Sequence, residues 1–178
     1  MLQKSSILNT LDVFFEEPTR RHSLIDISRK ISLAHTSVKK NIKGLIDLGF
    51  IKKEIETKGT RKFPVYIANR SYKRFTQVKK INNLDSLLKS GLVEFLEEKL
   101  MPKCIVVFGS YSKGEDIEES DIDLFIESKK TEINCIPFEK KLKRKIELHF
   151  KERFNDYSKE LKNNILQGIV LNGFLEGY

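Results

Sequence analysis

The sequence predicts an α+β protein in two parts: three short helices closed by a β-hairpin, then a small mixed sheet flanked by helices. Three observations predict it. Apolar residues recur at helical spacing up to Leu48 and then alternate through two short segments, 50–56 and 63–67. Further on, an unbroken apolar run, Cys104–Phe108, leads into Gly109-Ser110, and ten residues later a second strand-like run opens Asp121-Ile122-Asp123. Charge also divides between the parts. Residues 1–80 hold 18 Lys and Arg against 7 Asp and Glu, whereas residues 81–178 hold 15 against 18. A strongly basic half joined to a mildly acidic one points to a nucleic-acid-facing module attached to a part with a different task.

Length and composition bound the answer. A chain of 178 residues with 39% apolar content and 12 Phe has enough material for two modest cores. No apolar run reaches 18 residues, so no membrane-spanning helix is expected. The opening Met1-Leu2-Gln3-Lys4-Ser5 has no signal-peptide core. Cys104 and Cys135 are the only cysteines and no CxxC spacing occurs, so reduced thiols in the cytoplasm are expected and a zinc site is not.

In chain order, residues 5–16 carry Ile7, Leu8, Leu11, Phe14 and Phe15 at helical spacing, and Pro18 stops that helix. Ser23 caps a second helix, 24–31. After a turn at 32–35 a third helix is expected over 36–48, with Val38, Ile42, Leu45, Ile46 and Leu48 inward and Gly49 as its end. Two strands, 50–56 and 63–67, follow, joined by a polar turn over 57–62. Over residues 5–70 this order resembles winged helix-turn-helix transcription regulators, and the expected domain is 1–75. The resemblance implies that the third helix enters the major groove of duplex DNA. Thr36, Ser37, Lys39, Lys40 and Lys43 face away from its apolar side, and Lys58, Arg61 and Lys62 at the hairpin tip would meet phosphates. Winged helices also dock proteins or form homodimers, and a basic face is also simply solvated, so those readings stay open.

A polar connector, helical at its start, is expected over 76–85 and a second domain over 86–178. A helix over 87–100 carries Leu88, Leu92, Phe95, Leu96 and Leu100, and Pro102 ends it. The run Cys104–Phe108 reads as a buried strand and Gly109-Ser110 as a turn. Glu115, Asp116, Glu118 and Glu119 read as a solvated acidic loop. In the strand that follows, Asp121 and Asp123 share one face while Ile122, Leu124 and Ile126 enter a core. Two adjacent carboxylates repel unless a cation sits between them, and oxygen-only ligands suit Mg²⁺. Gly109 allows close backbone approach to a ligand, and Ser110 with the amides after it can hold phosphate oxygens. A short helix over 137–142 follows. Residues 145–150 then alternate, with Ile146, Leu148 and Phe150 on one face and Glu147 and His149 on the other. A helix over 157–167 and a short strand over 169–171 close the pattern.

Gly109-Ser110, ten residues, then Asp121-x-Asp123, with Tyr111, Lys113, Gly114 and Ser120 around them, resembles the signature of the nucleotidyltransferase superfamily. That superfamily includes DNA polymerase beta and the minimal nucleotidyltransferases paired with HEPN toxins. The resemblance covers about 86–175. A phosphate-binding P-loop fits less well, because Glu115 and Asp116 stand where Lys and Ser/Thr are required. The resemblance implies two Mg²⁺ ions on Asp121, Asp123 and a third carboxylate, for which Glu147 is the candidate where relatives more often carry Asp. It implies ATP or another NTP as donor, with Gly109, Ser110 and Lys113 on its phosphates, and AMP transfer to a tyrosine of a HEPN-type toxin. His149 reads as a polar strand residue within reach of the nucleotide, while His22 and His35 read as turn residues without chemistry. Two other readings stay open: a DNA-binding regulator whose second domain senses nucleotide or binds a partner without turnover, and a transferase acting on RNA or a small molecule.

Overall fold

The computed structural model describes residues 5–154 and 157–175. The chain forms two compact units, one ending at Phe75 and one beginning at Thr76.

The first unit is built of α1 (Ser6–Glu16), α2 (Leu24–Ile31), α3 (His35–Asp47) and a hairpin of β1 (Ile51–Lys58) and β2 (Arg61–Ala68). The apolar periodicity produces its core: Leu11, Phe14, Phe15, Ile27, Val38, Ile42 and Leu45 from the helices, and Ile51 and Val65 from the hairpin, are all buried. The start of α2 follows from local chemistry. The Ser23 hydroxyl accepts from the Asp26 amide and the Asp26 carboxylate accepts from the Ser23 amide, so two otherwise orphaned N–H groups are satisfied reciprocally. One polar pair is buried within the helices: Asn41 Nδ2 donates to Thr10 Oγ1 at 3.0 Å, and Thr10 in turn donates to the Ser6 carbonyl.

Two expectations for this unit change. Leu48, assigned inward, is 55% exposed, because α3 ends at Asp47 and the chain turns at Gly49 before Phe50 re-enters the core. The hairpin is also tighter than a turn over 57–62. Thr57 pairs with Lys62 and Lys58 with Arg61, leaving Gly59-Thr60 as the turn, since exposed charged side chains do not interrupt ladder hydrogen bonds.

The second unit contains most of α4 (Lys73–Ser90), then α5 (Leu92–Leu100), β3 (Cys104–Phe108), α6 (Gly109–Lys113), β4 (Ile122–Glu127), α7 (Ile136–Leu142), β5 (Ile146–Lys151), α8 (Lys159–Leu166) and β6 (Ile169–Gly173). The strands form one mixed sheet in the order β5-β4-β3-β6, with β5 parallel to β4 and β3 antiparallel to both of its neighbours. Alternation sends Ile105, Val107, Ile122, Leu124 and Ile126 into a core with Leu87, Leu92 and Leu96. Val106, Phe108 and Phe125 form the other core with Phe154 and Ile165.

Residues 76–85, expected as a polar connector, are instead the middle of α4, and the helical break falls at Gly91. The polarity misled because Lys79 and Asn83 lie one helical turn apart, in line with Leu87, and all three are buried.

His22 provides a pH test of the first unit. Its side chain is 1% exposed, and its ring meets Phe14 edge-on at 5.3 Å. Burial, opposed by Glu17, holds its pKa below the ordinary imidazole range. The unfolded chain therefore takes up this proton first, so stability is full above about pH 6.5 and falls as pH drops from there toward the folded-state pKa. We expect the His22 NMR titration midpoint below about 6.5. His22→Phe, which keeps the ring packing, should flatten the stability loss in that window.

Candidate functional site

The site forms where β3, β4 and β5 present one face of the sheet. Parallel pairing sets Asp123 beside Glu147 and Phe125 beside His149, and antiparallel pairing sets Phe108 beside Asp123. Because side chains alternate, Asp123, Glu147 and His149 emerge on one face. His149 Nε2 lies 3.2 Å from Asp123 Oδ1 and 3.9 Å from Glu147 Oε1. Ligand atoms of the three side chains all lie within 4.8 Å of one another. The His149 ring packs against Phe108, 5.1 Å between centroids. The hydrogen bond to Asp123 raises the His149 pKa against the opposing effect of burial, with Glu147 adding to the rise.

Gly109 closes the other side of Asp123. Its φ of 70° lies in the left-handed region, and a Cβ there would collide with the Asp123 carboxylate. Close passage of the backbone beside this carboxylate therefore requires glycine. Ser110 follows on α6, half-buried, and Lys113 is half-buried at the last position of that helix.

Asp121 is placed differently from its expected position. The regular strand begins at Ile122, whose amide donates to the Lys145 carbonyl at 2.8 Å, and Asp121 stands one residue ahead of it. It is outside the three-residue cluster and lines a neighbouring hollow of about 640 Å³ together with Glu118, Glu119, Lys140, Lys143 and Lys145. That hollow is lined by charges of both signs.

The loop before Asp121 is not wholly solvated. Asp116 is buried, paired with Lys79 and hydrogen-bonded by Asn83 Nδ2 at 2.7 Å, and Arg144 Nη2 lies 3.6 Å away. Asn83 Nδ2 also donates to the Tyr111 carbonyl, and Tyr111 Oη donates back to the Asn83 carbonyl. Gly114, with φ 74°, lets the same loop run against α4, where a Cβ would strike the Thr76 carbonyl and the Lys80 amide. These contacts tie α6 and the loop to α4 and so fix the approach to Asp121 and Asp123. Burial first, and Glu127 second, push the Cys104 thiol up to about 11, and burial likewise raises Cys135, so both stay as protonated thiols.

The sequence pattern grouped Asp123, Glu147 and Gly109, and the structure brings Glu147 and Gly109 to either side of Asp123. The sequence reading did not include His149 in the cluster, although its position two residues beyond Glu147 put it on the same face. It also missed Lys79, Asn83, Asp116 and Arg144 as a buried set, since charged residues at such spacings ordinarily read as solvent-facing.

Comparison with known proteins fits this geometry. Residues 89–172 match the nucleotidyltransferase domain family. A curated relative from Methanocaldococcus jannaschii, named "Putative protein adenylyltransferase MJ1379", is 50% identical over 34 residues, covering 19% of this chain. The chain spans 34% of that relative's length. Both matches support the nucleotidyltransferase superfamily for this region. A solved structure described as "Possible transcriptional regulator from Methanosarcina mazei Go1" aligns at a TM-score of 0.37 and 18% identity, covering 55% of this chain and 79% of its own. No helix among the described residues is long and apolar enough to cross a membrane.

The buried network makes a direct prediction. Lys79→Met removes one partner of a buried carboxylate and should destabilise the second unit by about 3 kcal/mol. Adding Asp116→Asn removes the buried charge that has lost its lysine partner and should recover a large part of that loss. Chemical denaturation of both variants checks this; a Lys79→Met variant as stable as the wild type would mean that the Lys79–Asp116 pairing itself carries no stability.

Proposed function

We propose that the chain is a divalent-metal-dependent nucleotidyltransferase that moves a nucleoside monophosphate, AMP from ATP foremost, to an acceptor hydroxyl. The observation that carries this reading is the pairing of Asp123 with Glu147 on adjacent parallel strands, with the Gly109 backbone closed onto Asp123. Asp123 and Glu147 fit a cation, because two acidic side chains and an imidazole bring donor atoms together at one point. Asp121, one residue ahead of the strand, would add a ligand from the rim. A bound divalent cation there supplies charge neutralisation of the triphosphate and a lowered pKa for the attacking hydroxyl.

The residues of the chain do the positioning. The Gly109-Ser110 segment offers backbone amides and a hydroxyl to the β- and γ-phosphates, and Lys113 offers a cation. In the reaction the acceptor oxygen bonds to the α-phosphorus, the bond to the β-phosphate oxygen breaks, pyrophosphate leaves, and the hydroxyl proton passes to solvent. Orientation and electrostatics carry most of the barrier reduction in this scheme. The acceptor in this reading is a tyrosine of a HEPN-type toxin, which rests on the resemblance to minimal nucleotidyltransferases; the name of the short curated relative supports a protein acceptor only.

The assay is transfer of α-labelled ATP to a candidate toxin, to RNA or to the protein itself, with pyrophosphate release as a second readout. Asp123→Asn should lower the rate by several orders of magnitude while the circular-dichroism spectrum stays unchanged. Ser110→Ala should cost less, since the neighbouring amides remain. No labelling and no pyrophosphate from any NTP with Mg²⁺ or Mn²⁺ would replace the enzyme by a nucleotide-sensing regulator.

The first unit supports a second role, duplex-DNA binding as a winged helix. Thr36, Lys39, Lys40 and Lys43 on α3 are exposed and Ser37 is half-buried, while Lys58, Arg61 and Lys62 are exposed at the hairpin tip. In this reading α3 lies in the major groove and the tip rests on phosphates. The full chain should bind duplex DNA with a steep dependence on salt, and Arg61→Ala with Lys62→Ala should reduce the slope of log K against log[salt] by about 2. Absence of binding even at low salt would make this unit a protein-docking or dimerisation module.

A further inference from the structure

The cation position between Asp123 and Glu147 carries a nitrogen donor as well as oxygens. His149 sits on the next outward-facing position of β5, its register partner is Phe125, and its ring is backed by Phe108. Donors about 2.1 Å from one ion, at octahedral or tetrahedral angles, lie roughly 3.0–3.4 Å apart. The 3.2 Å between His149 Nε2 and Asp123 Oδ1 falls within that range. The 3.9 Å to Glu147 Oε1 closes by rotation of a side chain that is 60% exposed on an edge strand, whereas His149 and Asp123 are 23% and 26% exposed. The more sheltered pair thus presets two ligand positions, and the exposed Glu147 carboxylate completes a third.

Ligand chemistry then decides which cation belongs there. Mg²⁺ takes hard oxygen donors and keeps much of its water, whereas imidazole suits the divalent first-row transition metals. We propose that the chain holds its nucleotide-associated cation at an Asp123–Glu147–His149 site that selects a first-row transition-metal dication, of the Mn²⁺ to Zn²⁺ class, over Mg²⁺. This rests on the nucleotidyltransferase reading and specifies the cation for it. His149 is a metal ligand in this arrangement, and coordination would replace its hydrogen bond to Asp123.

Mn²⁺ is the probe, added to the full-length protein. Pulsed EPR of bound Mn²⁺ should show hyperfine coupling to an imidazole nitrogen, and His149→Gln should abolish it. Asp123→Asn should abolish Mn²⁺ binding measured by calorimetry. His149→Asp, which restores an all-oxygen set, should narrow the Mn²⁺/Mg²⁺ affinity ratio by at least roughly tenfold. Circular dichroism and melting of the metal-free variants confirm that they fold. Mn²⁺ that binds in an Asp123-dependent way without nitrogen coupling, or an affinity ratio unchanged in His149→Asp, overturns the imidazole ligand and leaves the transferase reading standing. Absence of binding by either Mn²⁺ or Mg²⁺, with and without ATP, overturns both.

Discussion

The parallel pairing of β4 with β5 is the constraint on which the site depends. Side chains alternate with a period of two, so a slip of one residue would send Glu147 and His149 to the opposite face and bring Ile146 and Leu148 out beside Asp123. The register is held from the apolar side. Ile122, Leu124 and Ile126 are fully buried in the core to which Ile146, Leu148 and Phe150 also pack. Exposing one such residue would forfeit about 1.5–3 kcal/mol, far more than a surface carboxylate gains from any particular position. Hydrophobic burial on one face of the sheet therefore fixes the polar cluster on the other. Among the described residues the one parallel pairing in the sheet is β4 with β5, which requires a crossover, and α7 supplies it. Glu139 on that helix accepts from the Ile146 amide at 3.0 Å, holding the start of β5.

A second layer of support is polar and buried. Asp116 lies in the loop between α6 and β4, and it is fixed by Lys79 and Asn83 from α4 and by Arg144 beside β5. Burying charges in this way is a poor route to stability, because desolvation offsets the attraction. It is a good route to a defined position. A carboxylate that must find specific donors tolerates fewer arrangements than a methyl group in a core, and the residues it fixes lead directly from α6 to Asp121.

Much of the fold was legible in the sequence because hydrophobic periodicity and end signals agreed. Ser23 with Asp26, Pro18, Gly49 and the alternating runs on both sides of the hairpin all pointed to one arrangement. Asp123 and Glu147 were legible for the same reason, since each sits between residues whose burial sets its face. The misses share a different cause. Lys79, Asn83 and Asp116 are polar residues whose partners are 28 to 37 positions away in the chain. Their burial follows from long-range hydrogen bonds that no local pattern encodes, so a helix interior looked like a connector and a fixed loop looked like solvent. His149 was visible on the right face, but its convergence with Asp123 required the spatial order of the strands.

The exposure gradient across the cluster has a consequence for any transfer reaction at this site. Asp123 is sheltered beneath the Gly109 backbone and beside His149, whereas Glu147 lies on an edge strand and opens to solvent. The sheltered side holds position without help, so it suits the part of the reaction that is common to every turnover, the donor phosphates. The open side leaves room for a large acceptor but does not exclude water, and water competes with any acceptor hydroxyl for an activated phosphorus. For the proposed transfer, selectivity over water would require the acceptor to cover the edge strand as it binds. In that arrangement the acceptor would shelter Glu147, the most exposed member of the cluster, from competing water.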